Sequence, residues 1–293
     1  FIRLALISAF GICGYAFNIH RTLKFFNPLL SETFEHVDNK LNFRYFSEQV
    51  SHHPAISACY CEGDGYEYYN NSHSTYKFHL MKGCLEFTPL GRTFINLKNF
   101  NETITFSRPN SICRNIIMGK LHLDNVGKVI VNNQTTGDIL ELELFEESKN
   151  ERGKLKGEAR DIYGNVQLRL EGNLYENLFI YYNDPISGQE ISEKIWERFK
   201  IEGDEEERFY FTDFVLGLNN LTDDLRKILP PSDSRFRPDQ RALENQDIDL
   251  ATSEKLRLED KQRTRRKENE KNKIKHKPMY FEETYDDMTG ELI

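Results

Sequence analysis

Two adjacent histidines, His52 and His53, are the first residues in this chain whose types suggest chemistry. Imidazoles protonate near neutral pH, so such a pair can donate hydrogen bonds to an anion or offer lone pairs to a metal. Neighbours on a strand point to opposite faces, which makes it hard for one ion to take both. No cysteine lies within four residues of the pair, and Cys59-x-Cys61 lacks zinc spacing, so no metal site is expected. A second group lies some 200 residues later, where Lys255, Glu259 and Arg263 follow one another at i, i+4 and i+8. That spacing keeps all three on one side of a helix. Alone, paired histidines are most often structural, and a Lys–Glu–Arg face is most often a solvated run of ion pairs. The sequence contains no Gly-x-Ser-x-Gly elbow, Walker loop or HExxH, nor a Cys–His pair in motif context, so an enzyme is not expected.

The elements that must position these groups are legible from periodicity. Residues 1–17 are almost wholly apolar and predict a buried helix at the N-terminus, within about the first 20 residues. At 17 residues, with Arg3 and two glycines, the run is marginal for a bilayer span, and it lacks a basic start and a clear cleavage site. Then the period becomes two: Phe43 and Tyr45, Ile104 and Phe106, Leu140-x-Leu142-x-Leu144, Val166-x-Leu168-x-Leu170. Turn signals separate these runs at Gly63-Asp64-Gly65, Pro109-Asn110, Asn132-Asn133, Gly137-Asp138, Gly164-Asn165 and Gly188. The pattern predicts an antiparallel meander over 40–190, with too many strands for a flat open sheet, hence a curled sheet or barrel. After 208 the period returns to 3.6. Phe211, Phe214, Val215, Leu218, Leu221, Leu225 and Ile228 predict one helical face ended by Pro230-Pro231, within a helical part spanning 208–277. The fold class is therefore α+β and mainly β.

Composition narrows the function. The 293 residues carry a net charge of −8, which argues against nucleic acid as a general partner. Aromatic residues make up 12%, enough for a sizeable core and too many for a disordered chain. Five scattered cysteines, an odd number, read as reduced cytosolic thiols. Sequons at Asn70, Asn101, Asn133 and Asn220 mildly favour a secreted carrier instead. Charge is unevenly spread: residues 253–277 hold eleven Lys/Arg against five Asp/Glu, so the remainder carries −14.

Residues 47–54, Ser-Glu-Gln-Val-Ser-His-His-Pro, resemble the EQVSHHPP fingerprint of the oxysterol-binding protein-related family, with Ala55 in place of the second proline. Asn27-Pro28-Leu29-Leu30 followed by Glu32-Thr33-Phe34-Glu35 is similar to its NPLLGETFE, with Ser31 for glycine. Leu229 to Glu244, LPPSDSRFRPDQRALE, is similar to its C-terminal signature, and Tyr210-Phe211-Thr212 and Thr136-Gly137-Asp138 also fit. The resemblance runs over residues 1–293. It implies a single ligand-binding domain, a many-stranded incomplete β-barrel around a hydrophobic tunnel with an N-terminal helix and C-terminal helices. Residue by residue it implies a lipid-headgroup site of Lys24, Asn27, His52, His53, Lys255, Glu259 and Arg263, with phosphatidylinositol 4-phosphate as the headgroup. Fixed cations and many donors suit a phosphate.

The function so implied is a cytosolic, non-enzymatic lipid carrier without cofactor, peripheral at membrane contact sites. It would bind phosphatidylinositol 4-phosphate and exchange it for sterol or phosphatidylserine, touching anionic membrane surfaces transiently. A stationary lipid sensor or scaffold would use the same residues, and a secreted lipocalin-like carrier is the third reading. The resemblance also implies that the chain is cut at both ends, because the family's lid lies upstream of the first helix. Departures fall at Phe25, where proline is usual, and at Leu174-Tyr175, where only Gly172 remains of a Gly-x-Trp.

Overall fold

Alternation of apolar and charged residues sets the outcome in the middle of the chain. In the computed structural model, which describes residues 1–21, 26–146 and 152–284, Leu140, Leu142 and Leu144 are buried while Glu141 and Glu143 between them are exposed. The first strands are β1 (Thr33–Asp38), β2 (Phe43–His52), β3 (Ala55–Gly63) and β4 (Tyr66–His79). The chain continues through β5 (Cys84–Pro89), β6 (Thr93–Leu97), β7 (Glu102–Phe106), β8 (Asn110–Arg114) and β9 (His122–Asn133). Last come β10 (Ile139–Leu144), β11 (Lys154–Arg160), β12 (Val166–Asn173), β13 (Asn177–Asn183) and β14 (Glu190–Glu197). The helices are α1 (Ile2–Cys13), α2 (Asp213–Gly217), α3 (Asp223–Ile228), α4 (Pro238–Glu244) and α5 (Ile248–Lys271).

Pairing is antiparallel, and the hydrogen-bonded path runs β1-β2-β3-β4-β5-β8-β9-β10-β11-β12-β13-β14, with β6 joined to β4 and β7, and β7 to β9. The path is open, with β1 and β14 as its two ends, so among the described residues the strands do not close into a ring. This is the mainly-β class with flanking helices that the periodicity predicts. The strands reach further than 40–190, beginning at Thr33 and ending at Glu197. Asn132 and Asn133 are not a turn but the end of β9; the turn follows at 134–137, where the Asn133 side chain accepts from the amides of Thr135 and Thr136.

The chain divides into two compact units. One comprises Phe1–Leu23, Gly65–Tyr68 and Ser74–Asp213. Its core joins α1 (Leu4, Ile7, Ile12) to β7, β9 and β10 and to Leu168, Leu170, Leu178 and Ile180. Each such buried aliphatic side chain contributes roughly 1.5–3 kcal/mol. Gly11 allows the close approach of α1, since a Cβ there would sit 2.8 Å from the Phe106 ring. The N-terminal helix is shorter than 20 residues, giving way after Cys13 to a 3-10 turn, Gly14–Phe17. It is also not buried all round: Ile2, Leu6 and Phe10 are exposed at i, i+4 and i+8. Gly172 sits at φ +154, and a Cβ there would meet the Asn177 carbonyl at 2.2 Å, which accounts for a glycine at this position.

The other unit comprises Lys24–Asp64, Tyr69–His73 and Phe214–Ile293. The single helical face expected from Phe211 to Ile228 is two short helices, α2 and α3, because Thr222 adopts an extended backbone and caps α3 through the Leu225 amide (3.2 Å). Phe214, Val215 and Ile228 remain exposed. All five cysteines are free thiols, and burial pushes the Cys13 and Cys113 thiols up, which makes them poor nucleophiles. Of the four sequon asparagines, Asn70 and Asn133 are buried within strands, whereas Asn101 and Asn220 are exposed.

Candidate headgroup site

The residues that converge here all lie in the second unit. β2 and β3 pair in register from Phe43↔Gly63 to Gln49↔Ser57, then slip around Val50 to Ser51↔Ile56 and His52↔Ala55. This bulge lies inside the Glu-Gln-Val-Ser segment and re-aims the end of the strand. Gln49 is buried, and its Nε2 donates to the Ser51 carbonyl at 2.7 Å, stitching the bulge from within. His52 ends β2, while His53 lies in the turn to β3. The two rings therefore do not point to opposite faces: their centroids are 4.4 Å apart. Strand alternation, which predicts opposite faces, does not apply to a residue that has left the strand.

α5 supplies the facing side. Gln262 donates from Nε2 to Nε2 of His52 at 2.9 Å, and its Oε1 accepts the Leu30 amide at 2.8 Å. One neutral side chain thus ties α5 to both the His-His turn and the Asn-Pro-Leu-Leu loop. Lys255 and Glu259 pair at 3.2 Å, and the Lys255 ammonium stands 5.9 Å from the Phe26 ring centre. Burial lowers the His52 pKa; His53 and Arg266 push it the same way and Glu259 opposes them. Burial, His53 and Arg266 thus favour the neutral imidazole.

Of the seven residues read from sequence, the structure brings His52 and His53 together and sets Gln262 of the Lys255/Glu259 face against His52. Arg263 stands apart, exposed and 3.4 Å from Asp260. At about 100° per residue, Lys255, Glu259, Gln262 and Arg266 fall within an arc of about 60°, with Arg263 about 80° from Lys255. Asn27 contributes an exposed side chain, and its carbonyl accepts from Arg237 at 2.7 Å. Lys24 lies outside the described residues. Gln262 and Arg266 were missed from sequence; their signal is the i, i+4, i+7, i+11 spacing from Lys255, obscured by the density of charge around it.

Behind the site is a buried ionic scaffold built from the other two fingerprints. Arg237 donates to Asp239 (2.6 Å) and to Glu32 (2.8 Å), and Arg235 donates to Asp233 (2.8 Å), all with the side chains buried. Burial pulls the Arg237 guanidinium down, but Asp239 and Glu32 more than offset it and raise it. Glu32 also accepts the Leu29 amide at 2.7 Å, and the Thr33 amide donates to the Ser232 carbonyl at 2.9 Å. Residues 27–35 are thus fixed to 232–239 by largely buried groups. Glu48 has a similar duty: its carboxylate accepts the amides of Met279 (2.9 Å) and Tyr280 (2.9 Å). The Tyr280 hydroxyl donates to Glu35 at 2.7 Å, and burial together with Glu35 and Glu48 pushes that phenol up to about 12.

A family model for oxysterol-binding protein matches residues 1–292, and the chain belongs to that family. It is 33% identical to oxysterol-binding protein-related protein 6 of Homo sapiens over 292 residues, covering 97% of this chain and 30% of that protein. With oxysterol-binding protein homolog 1 of Saccharomyces cerevisiae it is 33% identical over 302 residues, covering 96% of this chain and 25% of that protein. The chain thus spans about a third or less of the length of these curated relatives. Among solved structures, the Osh1 ORD domain in complex with cholesterol superposes with a TM-score of 0.88 at 29% identity, over 99% of this chain and 72% of that one. The Osh3 ORD of Saccharomyces cerevisiae in complex with PI(4)P gives 0.80 at 27% identity, over 98% and 74%. No described helix is long and apolar enough to cross a membrane.

Proposed function

We propose that this chain is the lipid-binding domain of a carrier that takes up phosphatidylinositol 4-phosphate and exchanges it for a second lipid, sterol or phosphatidylserine, between membranes. The observation that carries this reading is the Gln262 bridge, which sets His52 against the Lys255–Glu259 face although 210 residues separate them. A phosphomonoester there would meet imidazole donors from the turn and cations from α5, with Lys24, Asn27 and Arg263 completing the set. Solved relatives in complex with PI(4)P and with cholesterol support both kinds of cargo. The acyl chains or sterol ring would occupy a hydrophobic tunnel, where removing on the order of 500 Å² of apolar surface from water is worth roughly 12 kcal/mol. Because both cargoes would use one tunnel, binding would be mutually exclusive, and exchange follows from loading one lipid as the other leaves. The work would be done at cytosolic membrane contact sites, without catalysis or cofactor.

The test is lipid recovery. The intact protein is incubated with liposomes of mixed composition, re-isolated, and its lipids identified by mass spectrometry. Phosphatidylinositol 4-phosphate plus one further lipid is expected. In the double variant His52→Ala/His53→Ala the phosphoinositide is lost while the second lipid remains; survival of phosphoinositide uptake overturns the assignment. Uptake without movement of labelled lipid between liposomes would make the protein a sensor and not a carrier.

A further inference from the structure

Within the first unit, two hairpin turns meet at an exposed apolar point. The β4–β5 turn carries Leu80 and Met81, and the β8–β9 loop carries Ile117 and Met118, with the Ile116 amide donating to the Gly83 carbonyl at 3.1 Å to hold the two together. The exposures are extreme for such residues: Met81 is 102% exposed, Met118 84%, Leu80 72% and Ile117 64%. Just behind them on β4, Tyr76 and Phe78 are also exposed, two apart and therefore on one face of the strand. Contiguous exposed apolar surface of this kind marks an interaction site.

Charge says what it meets. In a chain of net −8, residues 77–83 and 114–121 contain no Asp or Glu, yet carry Lys77, Lys82, Arg114 and Lys120. Carboxylates from the adjoining strands answer some of this charge, Glu86 taking His79 and Asp124 pairing with Arg114. Lys82 and Lys120 flank the apolar tips and are exposed. Flexible apolar side chains at a projecting tip, aromatic residues just behind and lysines around them match the layers of an anionic bilayer surface: acyl chains, interface, phosphates.

We propose that this knuckle is a bilayer-docking element in which Leu80, Met81, Ile117 and Met118 enter the acyl boundary of an anionic membrane while Lys77, Lys82 and Lys120 contact its phosphates. The element is independent of the headgroup site, and its test uses vesicles without phosphoinositide. Flotation of the intact protein with phosphatidylcholine vesicles, with and without phosphatidylserine, reads the partition. Met81→Asp/Met118→Asp is expected to reduce partition at least about tenfold, and each of Lys82→Glu and Lys120→Glu by about fivefold, more at low salt. Because these side chains are exposed, circular dichroism is expected to be unchanged. A Met118→Trp variant is expected to be quenched by lipids brominated on the acyl chain, beyond the signal of Trp196. Unchanged partition of the double Asp variant overturns the proposal. So does loss of binding on charge reversal with no quenching at position 118, which would mean electrostatic adsorption alone. Concentration-dependent self-association abolished by the Asp variant, with no vesicle binding, would assign the knuckle to a second copy of the chain and overturn it equally.

Discussion

The amide of Gln262 fixes the tautomer of His52. Its Oε1 is engaged by the Leu30 amide, so its NH2 must face His52, and Nε2 of His52 accepts. The ring proton of the neutral imidazole therefore sits on Nδ1. Protonating Nε2 would set a donor against a donor and break the bridge. This accords with a His52 pKa lowered first by burial and then by His53 and Arg266.

Replacing that amide by a carboxylate reverses the preference. Gln262→Glu can still accept the Leu30 amide and now accepts from protonated Nε2, so the His52 pKa is expected to rise. NMR titration of the imidazole C–H resonances measures it directly. An unchanged or lower value would mean that the bridge does not govern the ring.

Ligand uptake inherits this balance. Burial holds His52 below its usual 6.5, and a phosphate beside it would favour the imidazolium, so binding would take up a proton. Phosphoinositide affinity is expected to strengthen as pH falls from 7.5 towards 6, with a steeper slope than His52→Gln shows. Equal slopes in the two proteins would exclude His52 as the proton acceptor.

The same sign applies to stability. Burial lowers His20, His36 and His52 in the folded chain, so the unfolded chain binds protons first on acidification. Their contribution is complete above about pH 6.5 and is lost as pH falls through 6.5 towards the native values. Thermal melts between pH 7.5 and 5.5 are expected to show a falling Tm, shallower when His36 is replaced by Gln.

Breaking the buried scaffold is costly. Arg237→Ala leaves Asp239 and Glu32 buried beside one another without their cation, and is expected to cost about 3–5 kcal/mol. Arg237→Lys is expected to recover only part of this, since one ammonium cannot reproduce the guanidinium fork. Urea unfolding of the three proteins separates the outcomes.

Gly172→Ala tests the backbone. At φ +154, with Asn177 O 2.2 Å from the added Cβ, a loss of about 1–3 kcal/mol is expected. A neutral result in the same urea series would show that the β12–β13 turn can shift.

Much of this architecture was legible because periodicity is a local property. Leu140, Leu142 and Leu144 alternate, and their burial follows whatever the strand pairs with. The two fingerprints carrying Asn27 and Arg237 were equally visible as strings. Their relation was not, because an ion pair between residues 205 apart leaves no trace in spacing. Gln262 escaped for another reason: a neutral amide among eleven cations is not where charge-based reasoning looks. The helix expected from Phe211 to Ile228 failed because an apolar stripe at 3.6 spacing cannot register Thr222, whose hydroxyl begins a new helix inside it.

Glu48 has a consequence for how mutagenesis of this domain is interpreted. It lies four residues before His52, in the segment that most resembles a lipid-recognition fingerprint, yet its carboxylate is spent on the amides of Met279 and Tyr280. A screen scored on lipid uptake would recover Glu48 variants beside His52 variants and count both as contact residues. Amide exchange at Met279 and Tyr280 separates them: it accelerates when Glu48 is replaced and stays slow when His52 is. Proximity in sequence here joins two separate trades, one in cargo and one in keeping residues 279–280 moored.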